Sequence, residues 1–267
     1  MFSIIWEIPI LIQMNISTVV EPKKSYSGSR RLDDEQKKIR EFFNIKYPYF
    51  VYKRAMDIFT SLVVIVLIFP WLFPLLFVLV KLDSRGPAFF KQKRVGFLGK
   101  VFWCYKFRTM YVNDVADTRQ AIRNDPRVTR LGRFLRSTCI DELPQFINVL
   151  LGHMSIVGPR PHMLKDSQEF SAQVSNYKFR YLSRPGITGL SQIRGYRGPA
   201  TTFQSIFHRY QWDAYYIRNM SFSLDLRIMS ETAILMFKSV FLRNSPVPVG
   251  NTGLYDRKAL GPAKKIA

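Results

Sequence analysis

The sequence predicts an α+β fold: a mostly helical, monotopic membrane protein with a re-entrant (broken) membrane helix, a small β-hairpin and interfacial amphipathic helices. Three observations predict it. Ile58 to Val80 hold no charged side chain, yet Pro70 and Pro74 interrupt them. Residues 86–111 alternate apolar and basic side chains around a G-F-L-G turn, the pattern of a hairpin. Downstream, apolar residues recur at helical spacing in several short stretches.

The 267 residues can hold one sizeable domain with an appendage. A formal net charge of +21 implies an anionic partner: nucleic acid, an acidic membrane surface or phosphorylated ligands. Aromatics at 15% suit a membrane interface. The two cysteines, Cys104 and Cys139, form no metal-ligand spacing and no disulfide framework, which reads as a reduced, cytosol-facing chain. There are no internal repeats and no Walker or Rossmann spacing.

Four regions follow from the pattern. Residues 1–45 are an N-terminal extension and linker. Within it, residues 1–14 are apolar but hold Glu7 and Pro9, lack the basic start of a signal peptide and are too short to span a bilayer. An interfacial contact and the remnant of something larger both stay open there. The stretch D-D-E-Q-K-K-I-R-E-F-F is compatible with a short amphipathic helix. Residues 46–85 are the membrane region. At ~1.5 Å per residue, Ile58 to Val80 would be about 34 Å long, enough to cross a bilayer. Two features point to a return rather than a crossing. Pro74 cannot donate to the Pro70 carbonyl, so a bend is expected. Lys53 and Arg54 on one flank and Lys81, Arg85, Lys91, Lys93 and Arg94 on the other hold both ends on the cytoplasmic side. An ordinary kinked transmembrane helix is the alternative. Residues 86–242 form the cytoplasmic domain, and 243–267 a loose tail.

In the cytoplasmic domain, Arg127, Arg130, Arg133 and Arg136 recur every third residue, so a helix would place several on one side. The stretch from Arg136 to His162 is the centre of the chain. Asp141 and Glu142 sit where a helix should begin. Thr138 and Asp141 have capping spacing, Pro144 suits a first turn, and Gly152 suits a stop. A helix N-terminus and the nearby Arg136 would keep a carboxylate ionised, and an ionised Asp can attack phosphorus. A capping pair without chemistry is the bland alternative. In G-P-R-P-H, Arg160 lies between Pro159 and Pro161, a rigid presentation that could clamp a diphosphate. A structural turn is the alternative. Residues 163–183 read as helix, the Gly-rich basic run 184–200 as a segment with backbone N–H groups suited to phosphate, and 203–240 as two helices. The first of these has the aromatic and basic mix of an interface helix, with a core-packing helix as the alternative.

K-Q-K-R-V-G, K-F-R-T-M, D-P-R-V-T-R-L-G-R-F-L-R, D-E-L-P-Q, M-S-I-V-G-P-R-P and R-P-G-I-T-G occur in this order between residues 53 and 240. Together they resemble the monotopic bacterial phosphoglycosyl transferases, the polyprenyl-phosphate hexose-1-phosphate transferases. The resemblance implies transfer of a sugar 1-phosphate from a UDP-sugar to undecaprenyl phosphate at the cytoplasmic face of the bacterial inner membrane, on anionic lipids. It implies Mg²⁺ held by Asp141 and Glu142, with Asp141 as nucleophile. It places Arg136, Pro159, Arg160, Pro161 and Arg184 near the phosphates. G-P-R-P-H, with His162 as a sugar-specificity residue, and Y-Q-W-D-A-Y-Y-I-R-N are similar to the branch that handles glucose or galactose 1-phosphate. Two departures stand out. Many members have Ser-Pro at the helix break, whereas this chain has Phe69-Pro70; and residues 1–45 cannot supply the N-terminal helix bundle of larger members.

The expected activity is therefore the first membrane step of exopolysaccharide, capsule or O-antigen synthesis, without nucleic acid and with a homodimer left open. A membrane-tethered nucleic-acid-binding protein and a non-catalytic scaffold are the rival classes.

Overall fold

The computed structural model describes residues 28–241, residue 123 excepted. The expectations for residues 1–14 and for the tail 243–267 lie outside the described residues. Helix α1 spans Gly28–Asp83 and contains Pro48, Pro70 and Pro74. Residues 28–45, expected as linker, thus already belong to the helix. Helical backbone also continues through the two prolines where a break was expected. Each proline removes one donor, but the surrounding Leu, Val and Phe side chains offer the backbone no polar alternative, so the helical ladder stays its best partner. Trp71 adds to this: its indole N–H donates to the Leu67 carbonyl at 2.6 Å, one turn back and beside Pro70.

The apolar stretch of α1 is docked at both ends. Before it, Arg54 donates to the carbonyls of Val149 and Leu150 at 2.6 and 2.8 Å, and Asp57 accepts from the Ser155 hydroxyl and the Ile156 N–H, both at 3.0 Å. After it, Arg108 donates to the carbonyls of Val80, Ser84 and Arg85. Between the anchors Leu62, Val66, Leu67 and Trp71 are exposed.

The hairpin forms as predicted. β1 (Phe89–Val95) pairs antiparallel with β2 (Val101–Phe107), with Phe89 opposite Phe107 and Val95 opposite Val101. The expected turn at G-F-L-G is a 3₁₀ turn, Phe97–Gly99. Phe73 of α1 packs at a tilt against Phe89 and edge-on against Phe107, tying the hairpin to the apolar helix. Helix α2 is shorter than the arginine spacing suggests. It spans Arg130–Thr138, capped by the Thr129 hydroxyl, which accepts from Gly132 N–H. Arg127 is not on it: the guanidinium and backbone N–H of Arg127 both donate to Asp125, which pins it in the preceding loop.

α3 is Gln145–Leu150. It begins after the carboxylates, not at them: Asp141 and Glu142 lie in a 3₁₀ turn, Ile140–Glu142. Thr138 is no N-cap, since its hydroxyl donates back to the Phe134 and Leu135 carbonyls. Gly152 has a φ of 79° and follows the helix end as expected. β3 (Ser155–Val157) pairs parallel with β4 (Gly186–Thr188). That pairing occupies backbone groups which the sequence alone offered to phosphate. The expected helix 163–183 divides into α4 (Leu164–Gln173) and a 3₁₀ segment, Tyr177–Leu182, separated by Asn176 at a φ of 59°. A short α5 (Leu190–Ile193) precedes α6 (Phe203–Asn219) and α7 (Phe222–Phe241). α6 buries Ile206, Ala214, Tyr216 and Ile217 in the core, so it is the core-packing alternative, with Phe203 and Phe207 on its open side. The main core joins Phe43 and Phe50 of α1 to Val149, Ile156, Ile217 and Ile228.

Candidate active site

α2 must hand the chain to α3 almost without a loop. It does so through Cys139, whose φ of 62° is a left-handed conformation rare outside glycine. The reversal turns the next residues inward, and Asp141 and Glu142 are both 6% exposed. They line a cavity of about 590 Å³. Its walls come from the hairpin (Phe89, Gln92, Lys106), the loop after β2, the loop after β3 and the segment 195–199.

The two carboxylates differ in environment. Glu142 is held from both sides: Lys106 Nζ donates to Oε1 at 2.6 Å, and Arg160 donates to Oε1 at 2.7 Å and to Oε2 at 3.3 Å. Its carboxyl is held well below the usual range, because Arg160 and Lys106 outweigh its burial. Asp141 takes no side-chain hydrogen bond among the described residues. Burial pushes its carboxyl up to about 6, with Lys106, Arg136 and Arg160 opposing that rise and Glu142 adding to it. Of the two influences the sequence offered for keeping a carboxylate ionised, Arg136 acts as expected, whereas the α-helix begins only after the carboxylates. The cations act, but burial is the larger effect, and the group is still mostly ionised at pH 7.

Of the other residues singled out by sequence, several converge. Arg136 lines the cavity and donates through Nε to the Thr109 hydroxyl at 3.0 Å. Arg160, Pro161 and His162 line it as well. Pro159 does not line it, and its carbonyl accepts from Gly186 N–H at 3.0 Å. Arg184 lies elsewhere. Its Nε donates to the Gly152 carbonyl at 3.0 Å, its guanidinium sits over Phe97, and it borders a separate small void beside Lys53 and Asp57. Pro70 and Pro74 lie in α1 outside the lining. Sequence reasoning did not single out Asp166 or Arg209, placed Arg94 only among the cations flanking the membrane segment and took Lys106 only as one of the hairpin's basic residues; all four line the cavity too. The alternation of the hairpin held the signal for Lys106: it shares a face with Cys104 and Phe102, the inward side of β2.

Among the described residues no group of three or more metal-ligating side chains exists. The donor set, two adjacent carboxylates in a cavity, fits Mg²⁺, which commonly takes one or two carboxylates and completes its shell with substrate phosphates and water. The arrangement as a whole is a buried carboxylate that shares a cavity with fixed cations, a combination that suits displacement at a phosphorus of an anionic substrate.

A family model described as bacterial sugar transferase matches residues 48–239. The exopolysaccharide production protein PSS of Rhizobium leguminosarum bv. phaseoli is 47% identical over 191 residues, which cover 69% of this chain and 94% of that protein. A UDP-glucose:undecaprenyl-phosphate glucose-1-phosphate transferase of Klebsiella pneumoniae is 45% identical over 188 residues, 70% of this chain and 40% of that protein. An undecaprenyl-phosphate galactose phosphotransferase of Salmonella typhimurium is 33% identical over 202 residues, again 70% of this chain and 40% of that protein. The chain thus spans about two fifths of the length of the Klebsiella and Salmonella relatives.

Proposed function

Because the chain belongs to the bacterial sugar transferase family, we propose that it moves a hexose 1-phosphate, glucose or galactose, from a UDP-sugar to undecaprenyl phosphate. The observation that carries this reading is Asp141: a buried carboxylate without a side-chain hydrogen bond among the described residues, lining a cavity that Lys106, Arg136 and Arg160 also line.

The reaction proceeds in two displacements. An Asp141 carboxylate oxygen attacks the β-phosphorus of the UDP-sugar. The bond from that phosphorus to the bridging oxygen breaks, and UMP leaves with the electron pair. An acyl phosphate that joins Asp141 to the sugar phosphate remains. An oxygen of the lipid phosphate then attacks the same phosphorus and releases the Asp141 carboxylate. Lys106, Arg136 and Arg160 offset charge on the transferring group, which is where most of the catalysis of phosphoryl transfer lies. Glu142 holds Lys106 and Arg160 in place. Mg²⁺, held by Asp141 and Glu142, would add a further positive charge beside the diphosphate.

The lipid acceptor requires the cavity to meet a membrane. Both anchors of the apolar stretch sit on one domain, and Phe89, which lines the cavity, touches Phe73 and Phe77 of α1. This supports a helix that enters and leaves the cytoplasmic face of the inner membrane on the same side. The test is UMP release by purified protein with undecaprenyl phosphate and a panel of UDP-sugars. Asp141→Asn is expected to abolish both turnover and a covalent phosphosugar adduct. An adduct trapped on the Asn variant would remove Asp141 from its role.

A further inference from the structure

Among the described residues, three carboxylates line the cavity: Asp141, Glu142 and Asp166. Asp141 is the nucleophile of the proposed reaction, and Glu142 is paired with Lys106 and Arg160. Asp166 has no part in either role. It stands in the first turn of α4 and is 7% exposed. An acid in a first turn favours a helix, but an exposed one would do so without the cost of burial.

Asp166 belongs to another part of the wall than the pair. The charges that act most on Asp141 are those of Lys106, Glu142, Arg136 and Arg160; those that act most on Asp166 are Arg94, Glu169 and Arg209. The two sets share no residue. Both nearby arginines are engaged with backbone: Arg94 Nη1 donates to the Pro161 carbonyl at 2.9 Å, and Arg209 Nη2 to the Gly198 carbonyl at 2.5 Å. Asp166 forms no ion pair among the described residues. Gln120 Oε1 accepts from the Ala200 N–H at 3.2 Å, which leaves its amide N–H groups to donate. Burial pushes the Asp166 carboxyl up, and a hydrogen bond from Gln120 opposes that rise. A carboxylate can accept about four hydrogen bonds, so most of its acceptor positions stay free. The Nε atoms of Arg94 and Arg209 are sealed in without a partner, whereas neither oxygen of Asp166 is. Those free positions open on the cavity that Asp166 lines.

The sign of its charge decides what Asp166 can meet there. A carboxylate repels the phosphates that the cations attract. It suits the uncharged, hydroxyl-bearing part of a sugar nucleotide, as an acid does for a ribose hydroxyl in dinucleotide sites. We propose that Asp166 is a specificity residue, which accepts a hydrogen bond from a hydroxyl of the sugar nucleotide, on the ribose or on the hexose. The identity of the ligand rests on the function proposed above; the spare acceptor in the cavity wall does not.

The test is calorimetric binding at pH 8 in an Asp141→Asn background, with and without Asp166→Asn. The second substitution keeps the side chain's shape and removes its charge and one acceptor oxygen. The better bound of UDP-glucose and UDP-galactose is expected to lose about tenfold in affinity. Inorganic pyrophosphate, which has no sugar hydroxyl, should bind at least as tightly as before, because a like charge has gone. One analogue of the UDP-sugar lacking a single hydroxyl should lose a similar factor where Asp166 is intact, and nothing further in Asp166→Asn. A deoxyribose analogue with this behaviour assigns the bond to the ribose, and a deoxyhexose analogue assigns it to the hexose. Weaker binding of both pyrophosphate and the UDP-sugar would reveal general damage and overturn the proposal. Tighter binding of both would place Asp166 beside the phosphates and overturn it too, as would an analogue series in which no single hydroxyl matters. Failure of wild-type protein to release UMP from any UDP-sugar overturns the functional reading instead. The binding comparison still decides the role of Asp166 in that case, and no binding of either UDP-sugar overturns it.

Discussion

Lys106 sets how much of Asp141 is available at a given pH. Burial raises the Asp141 carboxyl to about 6, and Lys106 is the strongest single influence pulling it back down. In the proposed role of nucleophile Asp141 must be ionised, so kcat/KM should fall as pH drops through about 6. The sign of the next step follows from charge: removing a neighbouring cation disfavours the carboxylate. Lys106→Met should therefore move the acidic limb to higher pH, besides lowering activity by loss of a cation at the transferring phosphate. A pH–rate profile of both proteins measures this, and an unmoved limb in Lys106→Met would separate it from Asp141. None of this was visible in the residue string. D-E is legible as a pair of acids; which of the two is spent on Arg160 and Lys106, and which faces the cavity, depends on how the Cys139 reversal aims them.

At the scale of elements, α3 is too short to stand alone: with six residues it lies far below the length at which an isolated helix persists. Arg54 reaches from α1 to its last carbonyls, two charge-assisted bonds at 2.6 and 2.8 Å. Arg54→Met should leave both carbonyls without that partner and cost about 2–4 kcal/mol, read as a lower Tm, with activity lost because α3 follows the Asp141 turn directly. The elements that sequence pattern predicted best were those with local causes, the hairpin around G-F-L-G and the stop at Gly152. It failed where a non-local or single-residue event intervened. The arginine spacing suggested that a helix would carry several of the four on one side; it carries Arg130, Arg133 and Arg136, while Asp125 captures Arg127 before the helix starts. Asn176 divides 163–183 by adopting a left-handed conformation that nothing in its neighbours announces. Helical backbone runs through Pro70 and Pro74, with Trp71 donating to the Leu67 carbonyl.

For the whole molecule, the anchoring of α1 at both ends is the feature with the widest consequence. If the apolar stretch returns to the face it entered, Ile45 before it and Lys100 after it, both exposed, lie on the same side of the bilayer. Single cysteines at these positions, in a chain with Cys104 and Cys139 replaced, should both react with a membrane-impermeant thiol reagent in inside-out vesicles and neither in right-side-out ones. Labelling from opposite sides would mean a crossing helix and would sink the proposed topology.

By itself the sequence determined the membrane-associated class, the family through its ordered motifs and the hairpin, and it singled out Asp141, Glu142, Arg136 and Arg160, which the fold brings to one cavity. These depend on composition, short-range spacing and side-chain chemistry, which a linear string carries in full. The tertiary structure alone decided that Glu142 is the paired carboxylate, that Arg184 leaves the site for the Gly152 carbonyl, and that Lys106 joins it. Each of these is a contact between residues distant in the chain, and burial and long-range pairing exist only once the chain has folded.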